Sequence, residues 1–62
     1  MANTNIRWEY KTLRIKPGLL GSFDFGVIDE TLAREGNQGW ELVNAMTLGM
    51  ALPIVLFLKR AR

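Results

Sequence analysis

The chain has 62 residues and contains neither cysteine nor histidine. That removes thiolate nucleophiles, imidazole acid–base chemistry, disulfides and the commonest zinc ligands together. Its single serine, Ser22, has no histidine to act as its base, so nucleophilic catalysis has no starting point. The carboxylates Asp29, Glu30 and Glu35 fall on the expected outer face of a helix, where they stay solvated and serve solubility. No acid-rich loop has calcium-site spacing. Gly18, Gly21 and Gly26 form no phosphate-cradling register, and Asp24 would repel an anion held at the helix start beside Ser22. Neither enzymatic activity nor a metal or other cofactor is expected.

The remaining residues with binding chemistry are aromatic or large and apolar. Trp8, Tyr10 and Trp40, with Lys11, Arg14 and Lys59 nearby in the pattern, could stack bases of a nucleotide or single-stranded nucleic acid. They could equally anchor a core or an interface. The second reading is favoured, because a domain this small needs its aromatics for burial. The net charge of +2 also falls short of a dedicated nucleic-acid binder. Two loops carry an unusual load of apolar side chains, Leu19 and Leu20 in one and Leu48, Met50 and Leu52 in the other. Since loops are ordinarily polar, these five are the expected contact for a partner or a second copy, with folding back onto the core as the alternative.

The elements that must position these residues follow from periodicity. Residues 7–15 alternate charged with aromatic or branched side chains, the mark of a strand. The apolar parity changes near Thr12, which calls for a bulge or a two-sided strand. Lys16-Pro17-Gly18 makes a turn. Asp24 is the helix N-cap, Phe25, Ile28 and Leu32 form an apolar stripe at i, i+3 and i+7, and Gly36 supplies a left-handed stop. Residues 40–46 and 53–60 read as two further strands. The last is apolar on both faces, as a central strand covered on both sides would be. The fold expected is α+β, β-α-β-β, with a three-stranded antiparallel sheet of order 1-3-2 and one helix on one face. Residues 1–6 form a flexible N-terminus and residues 7–62 a single domain.

One helix covers one sheet face only, so the other face needs a second cover, most economically another copy of the chain. Residues 42–58 carry no charge and precede Lys59-Arg60, which resembles a stop-transfer pattern. Asn44, Thr47, Gly49 and Pro53 interrupt the run, and it divides into two strand-like halves, so no membrane partner is expected. With no secretory signal at the start, a cytoplasmic location is the expectation.

Three stretches carry a family resemblance: Trp8-Glu9-Tyr10-Lys11, then Gly36-Asn37-Gln38-Gly39-Trp40-Glu41-Leu42-Val43, then Phe57-Leu58-Lys59-Arg60. Together they resemble the small bacterial and phage proteins of an uncharacterised family with the pattern W-E-Y-K, G-x-x-G-W-E-L-V and F-L-K-R. The resemblance implies a compact α+β domain of unknown function and supplies no catalytic residues. The function expected is that of a small non-enzymatic homo-oligomeric protein-interaction module, a homodimer or higher symmetric oligomer that also offers its apolar loops to another protein. The alternative is a nucleotide or nucleic-acid binder using the aromatic and basic strand face.

Overall fold

A computed structural model describes residues 5–18 and 23–62. Four elements follow one another: β1 (Trp8–Ile15), α1 (Phe25–Gly36), β2 (Glu41–Thr47) and β3 (Ile54–Ala61). The sheet order is β1-β3-β2, antiparallel throughout, as the sequence pattern requires. β1 pairs with β3 without interruption, from Trp8 opposite Ala61 to Ile15 opposite Ile54. The bond from Arg62 N–H to the Arg7 carbonyl (2.9 Å) prolongs that ladder. The bulge expected near Thr12 lies instead in β2, between Leu42 and Asn44. β1 is therefore two-sided, with Trp8 and Tyr10 on one face and Leu13 and Ile15 on the other, and its parity change needs no irregularity.

The helix begins where an orphan donor finds a side chain: Asp24 Oδ1 accepts from Gly26 N–H at 2.8 Å. It packs through Ile28 and Leu32 onto Ile15, Leu56 and Leu58, the three fully buried apolar residues among those described. Leu13, Phe23, Trp40 and Ile54 complete this one-sided core. Two positions in the helix differ from the expected stripe. Phe25 is 75% exposed and is not among the residues packed against the core. Glu35, expected on the outer face, is 6% exposed. It stands seven residues after Ile28 and three after Leu32, so the helical period carries it onto the buried stripe.

The helix ends on Asn37, whose N–H reaches the Ala33 carbonyl and whose backbone stays right-handed. The left-handed residue is Gly39, at φ +90°, not Gly36. Trp40 N–H then returns to the Glu35 carbonyl at 3.0 Å and aims the chain into β2. The β2–β3 connection closes with Leu52 N–H on the Gly49 carbonyl at 3.2 Å, and Ala51 takes φ +62° within it. The uncharged run is thus a hairpin. Among the described residues no helix is long and apolar enough to cross a membrane.

Candidate functional site

The register assigns every strand residue to a face. On the helix side stand Leu13 and Ile15 from β1 and Leu56 and Leu58 from β3, which are cross-strand neighbours in alternation. On the other side stand Trp8, Tyr10, Thr12 and Arg14, opposite Ala61, Lys59, Phe57 and Val55. β2 contributes Glu41 beside Lys59, Asn44 beside Phe57 and Met46 beside Val55. Among the described residues no element covers this second face. β3, read as a central strand with both faces covered, is central but covered on one side, which leaves Val55 and Phe57 half-buried.

This open face is apolar to an extent that water does not favour. Tyr10 is 71% exposed, Val43 54%, Met46 45% and Trp8 42%. Tyr10, Thr12, Val43 and Phe57 line a shallow depression of about 330 Å³, with the strand residues Lys11 and Leu58 beneath them. The β2 bulge matters here. Simple alternation sets Val43 with Glu41 on this face, where it lines the depression with Phe57 and Tyr10, and the extra residue then keeps Asn44 and Met46 on the same face instead of turning them to the helix side. At the β1-start end of the face the Lys59 ammonium sits 4.4 Å from the Trp8 ring centroid, a cation–π contact that occupies one surface of the indole.

The helix-side end of the sheet holds a different cluster. Trp40 lies between two cations, with Lys11 Nζ 4.6 Å and the Arg60 guanidinium 4.4 Å from its ring centroid. Lys11 Nζ also meets Glu35 Oε1 at 2.5 Å. That oxygen makes no hydrogen bond of regular geometry, so the ion pair is what neutralises it. Arg34 is a weaker second cation, 4.0 Å from Oε2. Arg60 donates from Nε to Glu9 at 2.9 Å and from a terminal nitrogen to the Gln38 carbonyl at 2.8 Å. Glu9 and Arg60 are also cross-strand partners in the β1–β3 ladder. The cluster ties the helix C-terminus and the 37–40 connector to the ends of β1 and β3. Each of its charges is partnered within the domain.

These placements separate the three aromatics singled out in the sequence. Trp8 and Tyr10 share the open face, whereas Trp40 and Lys11 belong to the helix side, so no single platform unites them. Leu48, Met50 and Leu52 stand at the hairpin tip, 58%, 95% and 46% exposed. Leu19, Leu20 and Ser22 lie outside the described residues. Periodicity could have identified Glu35, because its i+7 spacing from Ile28 was present in the sequence. Met46 had no such signal, since its face depends on the bulge between Leu42 and Asn44. Among the described residues no group of three or more Asp, Glu, His or Cys is arranged to hold a metal ion.

Neither the curated proteins nor the solved structures provide a match to this chain. A family model does match, over residues 8–61, which takes in all four elements and both the open face and the Trp40 cluster. The chain belongs to the family described as domain of unknown function DUF4177.

Proposed function

We propose that the protein is a small non-enzymatic interaction module that works as a homodimer or higher symmetric oligomer, with the open sheet face as the surface shared between copies. The observation that carries this reading is the uncovered apolar face formed by Trp8, Tyr10, Val43, Met46, Val55 and Phe57. The molecule exposes 5036 Å², about 1,000 Å² beyond the roughly 4,000 Å² typical of a folded monomer of this mass. A two-fold arrangement covers the same patch on both copies and needs no second gene product. The Trp40 cluster favours no reaction, because its one buried carboxylate is held by Lys11.

The competing use of this face, stacking of nucleic-acid bases, has Trp8, Tyr10 and Phe57 in its favour. Against it, Lys59 already lies over Trp8, Asn44 Oδ1 is taken by Ala45 N–H, and the strand cations on the face, Lys59 and Arg14, are too few to track a phosphate backbone and are offset by Glu41 beside Lys59. Native mass spectrometry of the wild type and of Val43→Asp and Tyr10→Asp tests the proposal. Both substituted residues are exposed, so the fold, followed by far-UV circular dichroism, is expected to persist while the oligomer dissociates to monomer. A wild type that stays monomeric at micromolar concentration, or an oligomer indifferent to both substitutions, defeats the reading.

A further inference from the structure

The hairpin tip is a second apolar feature, separate from the open face. From Leu48 to Leu58 the sequence has no side chain able to make a hydrogen bond. At the tip Leu48, Met50 and Leu52 point away from the core, Met50 almost wholly exposed. Folding back onto the core, the ordinary fate of such side chains, is therefore not what this loop does. Its backbone is partly self-satisfied: Leu52 N–H bonds to the Gly49 carbonyl at 3.2 Å and Gly49 N–H to Thr47 Oγ1 at 3.3 Å. A loop that internally pairs its own polar groups loses less on entering a low-dielectric medium.

The surroundings indicate which medium. Ile15 and Thr47 both pair with Ile54, so the tip shares its end of the sheet with Arg14 and Lys16. Neither cation has an acidic partner within ion-pair distance among the described residues. The helix begins at the same end, with Phe25 75% and Val27 48% exposed. Asp24 lines the same depression as Lys16 but is not within ion-pair distance of it, and its Oδ1 accepts from Gly26 N–H, so it offsets only part of the positive charge at this end. A protein partner would normally add hydrogen bonds, about one per 100–200 Å² of interface, and the tip side chains offer none. Apolar side chains flanked by unpaired cations complement instead the boundary between acyl chains and anionic headgroups.

We infer that the hairpin tip is a peripheral membrane contact, which inserts Leu48, Met50 and Leu52 into an anionic lipid surface while Arg14 and Lys16 face the headgroups. The contact is reversible and spans nothing, and because Arg14 lies at the hairpin-tip end of the open face, opposite Val55, an interface between copies on that face must leave its guanidinium free to reach the headgroups. A few inserted side chains bind weakly on their own, so the charges supply the second signal that peripheral attachment needs.

Co-sedimentation with vesicles of phosphatidylcholine and phosphatidylglycerol, and with phosphatidylcholine alone, tests the inference on the full chain. The wild type is expected to partition onto the anionic vesicles, more weakly onto the neutral ones, and less as salt is raised. Met50→Asp is expected to lower partitioning at least about tenfold, since it replaces a buried apolar side chain by a charge. Leu48→Asp, at a second exposed position, repeats the test should the first variant fold poorly, and native mass spectrometry follows the subunit count of both. Absence of wild-type partitioning overturns the inference, as does partitioning indifferent to both variants. Dissociation of an oligomer by either variant also overturns it, because the tip would then be a contact between copies.

Discussion

Lys11 and Glu35 show how one pair can decide the end of a helix. The Glu35 side chain is 8% exposed and that of Lys11 31%, so the acid depends on its partner far more than the base does. Removing the base leaves an enclosed carboxylate without its main counter-charge. Lys11→Met is therefore expected to cost about 2–3 kcal/mol, toward the low end for a broken buried pair because the site is only partly enclosed. Glu35→Gln keeps the shape and frees a lysine that can reach water, at a cost of about 1 kcal/mol. Urea denaturation at matched protein concentration reads both. Equal losses, or a larger one for Glu35→Gln, would mean that packing over Trp40, not charge, holds this corner. The pair was not read from the sequence: Glu35 is expected there on the outer face, although its i+7 spacing from Ile28 puts it on the stripe, and only the tertiary fold shows that Lys11, 24 positions earlier on β1, reaches it.

At the scale of elements, the two glycines after Arg34 have opposite roles. Gly36 lies within the helix at ordinary φ, and a Cβ built there meets nothing within 4 Å. Gly36→Ala is expected to raise stability by about 0.5–1 kcal/mol through the lower helical cost of alanine. Gly39 turns the connector at φ +90°, and an added Cβ would stand 3.8 Å from the Arg60 side chain, an ordinary contact. Gly39→Ala is expected to cost about 1–2 kcal/mol from backbone strain alone. Thermal melts of the two variants should move in opposite directions from the wild type; movement in the same direction would place the turn elsewhere. The motif Gly36-Asn37-Gln38-Gly39 announces a helix stop in the sequence but not which glycine makes it. Asn37 and Gln38 both continue helix-type backbone bonding, to Ala33 and Glu35, and that delays the left-handed residue.

For the whole molecule, the one-sided core predicts a stability that depends on concentration. A helix covers one face and three apolar residues are fully buried among those described, so much of the stabilising burial must come from association if the open face is shared. The melting temperature of the wild type is then expected to rise by about 3–6 °C for each tenfold increase in protein concentration, as mass action requires for a dimer that unfolds as it dissociates. Tyr10→Asp should melt lower and at a temperature independent of concentration. A wild-type melt that does not move with concentration would leave the open face without a second copy on it.

The order of elements, the antiparallel 1-3-2 sheet and the Asp24 cap were decided by local causes: alternation in the strands, a carboxylate beside orphan helix donors, and directions set by short connections. Residue type and spacing alone determine these. What the tertiary structure decided is which side each residue faces and what stands opposite it. One extra residue in β2 puts Asn44 and Met46 on the open face, Trp40 parts from Trp8 and Tyr10 across the sheet, and Glu35 finds Lys11. Those outcomes depend on register and on contacts between residues far apart in the chain, and a one-residue shift in pairing reverses the face of every side chain beyond it.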